Sequence, residues 1–99
     1  MGDQERHRIK RGQMLRILLE CYPNPESLFV ISGVLEKMGL PTTMDTLRQY
    51  ISYLQEKGYC EVRMLKGRSG VRIAVVKITA KGIDLLDENN DLRDEGVAI

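Results

Sequence analysis

Residues 45–62 read DTLRQYISYLQEKGYCEV, and the hydrophobic rhythm changes halfway along. Leu47, Ile51 and Leu54 recur at the spacing of one helical face. After Gly58 the pattern alternates, with Cys60, Val62 and Met64 on one side and Glu61 and Arg63 on the other, as in a half-buried strand. A strand that follows a helix this closely packs against the helix's back and leaves its front free. That front, with the residues leading into it, holds Thr42, Thr43, Asp45, Thr46, Arg48, Gln49, Ser52 and Tyr53.

Working towards the N-terminus, GLPT separates this helix from an earlier one in which Leu28, Ile31, Leu35 and Met38 share a face. Gly39 suits the position just past a helix end, and Pro41 forbids continuation. The earlier helix is expected to be capped by Asn24 with Pro25 as its first residue, and the later one by Thr42 with Asp45 completing a short capping box. Two helices joined by so tight a turn form a helix-turn-helix. A first helix is expected from Ile9 to Tyr22, with Met14, Leu15, Leu18, Leu19 and Cys21 inward. Towards the C-terminus, YCEVRMLK and VRIAVVKI read as two strands joined at GRSG. Thr79 caps a closing helix from Ala80 to about Glu88, with Ile83 and Leu86 inward. The segment NNDLRDEGVAI holds too little apolar surface to order itself.

The fold class expected is therefore α+β, a three-helix core with a C-terminal β-hairpin and a closing helix. Residues 1–8 are expected as a flexible basic N-terminus, 9–88 as the domain, and 89–99 as an acidic tail. At 99 residues, 42% of them hydrophobic and 29% charged, the chain is sized for one modest core. No apolar run reaches the roughly 18 residues of a membrane span and no signal peptide opens the chain, so a cytoplasmic protein is expected. Cys21 and Cys60 lack zinc-site spacing; they are either buried thiols or a redox pair.

The net charge of +1 conceals segregation: residues 1–81 sum to +6 and residues 82–99 to −5. Arg6, Arg8, Lys10, Arg11 and Arg16 form one basic cluster, and Lys57, Arg63, Lys66, Arg68, Arg72, Lys77 and Lys81 another, relieved only by Glu61. Local fields of this kind attract polyanions irrespective of the total. The carboxylates after Gly82 either shield the basic hairpin or serve only solubility.

LRQYISYLQEKGY resembles the recognition-helix segment of winged helix-turn-helix domains, and KITAKGIDLL is similar to the Leu-Thr-x-Lys-Gly segment that closes the wing in MarR- and PadR-type regulators. The likeness spans residues 9–88. The layout, with ERHRI, SLFVISGVLEKMG and a Gly-Val tail, is also similar to small winged-helix proteins of Mu-like prophages. Their tails usually continue with basic residues, where this one reads Glu95-Gly96-Val97-Ala98-Ile99.

The resemblance implies double-stranded DNA as partner and a phage-type transcriptional regulator as role, with the helix at 42–57 in the major groove and the wing at 66–70 on the minor groove or phosphates. Arg and Gln can pair with guanine and adenine edges, so Arg48 and Gln49 are candidate readers beside Thr42, Thr43, Thr46, Ser52 and Tyr53. Asp45 either accepts from cytosine or caps the helix, and Tyr50 and Tyr53 are either packing residues or contacts. In the wing, Arg68 with Ser69 at the tip is the minor-groove candidate, flanked by Lys66, Arg63 and Arg72 for phosphates. A homodimer reading two half-sites is expected. With His7 as the sole histidine and no glycine-rich phosphate loop or metal spacing, no enzyme activity, metal, cofactor or small-molecule effector is expected. The alternative is a winged-helix module that binds protein instead of DNA.

Overall fold

Gly39 and Gly58 both take left-handed backbone, with φ of 76° and 82°, and each ends a helix in the same way. The N–H of Leu40 donates to Leu35 O at 2.8 Å and that of Gly39 to Glu36 O at 3.0 Å. One helix later, Tyr59 donates to Leu54 O at 2.9 Å and Gly58 to Gln55 O at 3.0 Å. This paired bonding is the Schellman motif, and glycine fills the αL position without a Cβ penalty. It explains how the opening stretch passes from helix to strand with almost no linker.

The computed structural model describes residues 2–89 and 91–99. Its elements are α1 (Asp3–Cys21), β1 (Glu26–Ser27), α2 (Leu28–Lys37), α3 (Met44–Glu56), β2 (Cys60–Lys66), β3 (Arg72–Ile78) and α4 (Ala80–Leu86). The three strands form an antiparallel sheet in the order β1-β3-β2. Met14, Leu15 and Leu18 of α1, Ile31 and Leu35 of α2, Leu47 and Leu54 of α3, and Val76 and Ile78 of β3 fill the centre. The fold is the α+β winged helix-turn-helix expected, with β2 and β3 as the wing.

Several local expectations are corrected. The cap of α2 is Ser27, whose Oγ accepts from Val30 N at 3.3 Å, rather than Asn24. Glu26 and Ser27 stay extended because they pair with Val76 and Val75, so the helix starts later. A two-residue edge strand has no periodicity of its own and takes its identity from its partner. The cap of α3 is Thr43, which accepts from Thr46 N at 3.2 Å; the Thr42 hydroxyl instead donates to Leu40 O. Thr79 caps α4 as expected, accepting from Gly82 N, and the helix ends at Leu86. Leu19 and Met38 are exposed, whereas Ile17 joins the core. Cys60 is buried and Cys21 half-buried, both as free thiols.

The larger departures lie at the two ends. The helix α1 begins at Asp3, six residues before the expected Ile9. Asp3 and Glu5 suit the positive end of its dipole, Arg8 pairs with Glu5 at 2.6 Å, and His7 Nδ1 meets the hydroxyl of Tyr50. The last residues are packed: Val97 is only 3% exposed and sits in the core cluster. Ala98 N donates to Arg8 O at 3.0 Å, and a Cβ at Gly12 would overlap the Ala98 carbonyl oxygen. A strap formed by residues 94–98 thus lies against α1 in a notch that Gly12 leaves open.

Candidate nucleic-acid interface

Each residue of α3 is rotated about 100° from the last, so neighbours in sequence fall on different flanks. Arg48, Ser52 and Gln55 share a strip at i, i+4 and i+7, and all three are exposed. Gln49 and Asp45 continue the open arc. Thr43 is exposed beside the helix start, and Thr42 and Thr46 are half-buried there. Asp45 does not cap; its carboxylate lies 3.6 Å from Arg48 in a pair that is exposed on both sides. Such a pair contributes about 0–1 kcal/mol, so Arg48 is readily surrendered to another acceptor.

Facing this strip is the wing. Its ladder pairs Val62 with Val76, Met64 with Ala74 and Lys66 with Arg72, which sets these residues on the side turned towards α3. Between helix and wing runs a groove of about 390 Å³ lined by Arg48, Ser52 and Gln55 on one wall and Met64 and Arg72 on the other, with Phe29 at its edge. Phe29 is 70% exposed and Met64 57%. Arg63 pairs with Val75 and points to the reverse face, where it borders a hollow lined by Pro23 and Pro25. The expected wing residues are therefore divided: Lys66 and Arg72 accompany α3 and Arg63 does not. At the tip Ser69 and Gly70 have φ of 64° and 78°, and Gly67 N donates to Val71 O at 2.6 Å, which leaves Arg68 projecting from a closed turn.

Tyr53 stands one residue past Ser52 and faces away from the groove. Its hydroxyl donates to Asp94 Oδ1 at 2.7 Å, and the Tyr59 hydroxyl donates to Oδ2 of the same carboxylate at 2.7 Å. Gly96 N adds a third bond to Asp94 at 2.8 Å. The Arg11 guanidinium lies 4.4 Å from the centre of the Tyr53 ring and 5.3 Å from that of Tyr50, and donates to Gly96 O at 2.9 Å. Tyr50 is 2% exposed. Both tyrosines are engaged in holding α1, α3 and the strap together. Tyr59 is a junction: its N–H closes α3, its carbonyl accepts from Thr79 N at 3.0 Å at the start of α4, and its hydroxyl holds the strap.

The electrostatics follow this geometry. Burial alone would raise the pKa of Asp94, but the Tyr53 and Tyr59 hydroxyls, the Gly96 N–H and the charge of Lys57 outweigh it and hold the carboxyl below its ordinary value. Burial, reinforced by the bond to Asp94, pushes Tyr59 up to about 12. Burial also raises Cys60 to about 12, with Glu61 adding to it, so that thiol is inert near neutrality.

Of the residues expected to meet DNA, the structure brings together Thr42, Thr43, Thr46, Arg48, Gln49 and Ser52 around the first turns of α3, with Lys66, Arg68, Ser69 and Arg72 across the groove. Gln55 was missed, although its place seven residues after Arg48 carried the signal. No group of three or more potential metal ligands occurs among the described residues, and no helix among them is long and apolar enough to cross a membrane.

Fold and groove together define a winged helix-turn-helix scaffold in which the outer side of α3 is open. Solved structures share that scaffold. One, described as a "PadR-like Transcription factor from bacteroid fragilis", is 20% identical, with a TM-score of 0.60 over 75% of this chain and 72% of that one. Another, a transcriptional regulator from Clostridium thermocellum, is 22% identical, with a TM-score of 0.63 over 83% and 78% of the two chains. No family model and no curated protein matches the chain.

Proposed function

We propose that this protein binds double-stranded DNA as a transcriptional regulator, with α3 in the major groove and the wing on the adjacent backbone or minor groove. The observation that carries the reading is the open strip of Arg48, Ser52 and Gln55 beside the arginine-tipped wing, with none of its side chains committed to the chain's own core. Arg48 and Gln49 supply bidentate donors for guanine and adenine edges. The N-terminal end of α3, capped by Thr43, suits a phosphate oxygen. One structural neighbour is a PadR-like transcription factor and the other a transcriptional regulator, in agreement with this role. A homodimer would let two such modest surfaces read paired half-sites in the cytoplasm. A phage-type setting rests on the sequence resemblance alone.

Fluorescence anisotropy on duplex DNA in rising salt tests the reading. With about five phosphates engaged, log K falls against log salt with a slope near −4 to −5. Arg48→Ala is expected to cost about 1–3 kcal/mol on a selected sequence, and Arg68→Ala to flatten the slope by about 0.9. Binding that ignores salt and both substitutions would overturn it. The second reading, a protein-binding module, is favoured by one feature, the apolar exposure of Phe29 and Met64 in the groove.

A further inference from the structure

Two cations on α1 stand beside the start of α3 without a carboxylate partner among the described residues. Arg6 and Lys10 are one turn apart, about 6 Å along the axis. With Ile9 they line a concavity of about 340 Å³ closed on its other side by Gly39, Leu40 and Pro41, the turn between α2 and α3. Lys10 Nζ donates to Pro41 O at 3.0 Å, which fixes it two residues before the cap of α3. The neighbouring basic residues of α1 are committed elsewhere: Arg8 to Glu5 and Glu95, and Arg11 to the tyrosines and Gly96. Neither Arg6 nor Lys10 forms a salt bridge among the described residues. No ion pair among the described residues offsets their mutual repulsion. Burial and the charge of Arg6 lower the pKa of Lys10, as expected of a cation crowded by another.

We infer that Arg6 and Lys10 form a second phosphate-binding edge, which takes the DNA backbone on the flank of α3 opposite the wing. This rests on the DNA-binding reading above. His7, between them, contacts Tyr50, so this half of α1 lies along the α3 flank that faces away from the groove. A helix seated in the major groove meets a backbone on each side. The wing supplies cations for one, and Arg6 and Lys10 supply them for the other. On the α1 flank, carboxylates gather further along α3, where Asp94 accepts from Tyr53 and the charge of Glu95 also reaches that tyrosine. Glu36 lies across Pro41, in a separate hollow with Thr42 and Thr43. Charge thus favours the first turns of α3 pointing into the groove and its last turn pointing out.

The test is anisotropy with a short, labelled duplex of mixed sequence, at about 50 to 200 mM salt. The double variant Arg6→Ala/Lys10→Ala is expected to bind roughly 10-fold or more weakly at low salt, with a salt slope shallower by about 1.8, or 0.9 per lost phosphate contact. The swap Arg6→Lys/Lys10→Arg keeps both charges and restores the slope, which a merely structural role for these side chains would not require. Lys77→Ala, on the reverse face of the sheet, leaves the slope unchanged. Arg6→Gln/Lys10→Gln, which keeps long stems, gives the same readout if the alanine variant unfolds. If the native chain binds with a salt-dependent slope that neither neutral double variant changes, or that Lys77→Ala reduces equally per charge, the second edge is refuted while the DNA reading stands. Absence of salt-dependent binding by the native chain refutes both.

Discussion

The wing and the C-terminal strap flank α3 on opposite sides, and they are held in contrasting ways. The wing carries Lys66, Arg68 and Arg72 on a two-stranded ribbon whose outer half has only its own ladder for support; Met64, Leu65 and Val71 there are exposed. The strap bears Asp94 and Glu95, yet it is tied down by Val97 in the core, by the Tyr53 and Tyr59 hydroxyls on Asp94 and by Arg8 and Arg11. Charge alone does not distinguish a free segment from a docked one. What matters is whether the polar groups find fixed partners inside the molecule: those of the wing do not, and those of the strap do. The anchors of the strap are residues of α1 and α3 and Tyr59 just before β2, so its location gives no support to shielding of the wing.

Substitutions on the two flanks should separate stability from DNA binding. The largest effect on stability is expected for Asp94→Asn, which removes a charged acceptor shared by two tyrosines and should cost about 2–3 kcal/mol in denaturant unfolding at neutral pH. The folded carboxyl has a lowered pKa, so its contribution is complete above the ordinary value of 3.8 and is lost as pH falls through the folded value. The gap between variant and native chain should therefore narrow below about pH 4; a constant gap would show that the hydrogen bonds do not depend on charge. Next comes Gly12→Ala. Helix propensity favours the alanine by about 1 kcal/mol, but the added methyl displaces the strap, and a net loss is expected by thermal melting. Smallest is Met64→Ser on the wing, expected to change stability by less than about 0.5 kcal/mol. If Met64→Ser destabilised as much as Asp94→Asn, the contrast between the flanks would fail.

The features legible in the sequence were those with a local cause. Gly39 with Pro41, Gly58 and Thr79 each solve a problem posed within a few residues, a left-handed turn or an uncapped N–H, and each appears where the sequence puts it. The open side of α3 was equally legible, because Leu47, Ile51 and Leu54 define the buried face and Arg48, Gln49 and Ser52 lie off it. Tyr53 was harder, since a single step round the helix moves a side chain from the groove to the opposite flank. What could not be read had distant causes. Glu26 and Ser27 become a strand only because β3 offers an edge, and Val97 is buried only because Gly12 leaves room for Ala98. Residues 3–8 are helical in part because Tyr50 and the strap lie alongside them.

Tyr59 ties the last turn of α3 to the far side of the molecule. Through backbone and hydroxyl it joins the last turn of α3, the first turn of α4 and the strap. Lifting the strap would break the Tyr53 and Tyr59 bonds to Asp94 and so act on the last turns of α3, and a reorientation of α3 would act back on the strap. The orientation of α3 beside the wing is thereby linked mechanically to a surface on its opposite flank.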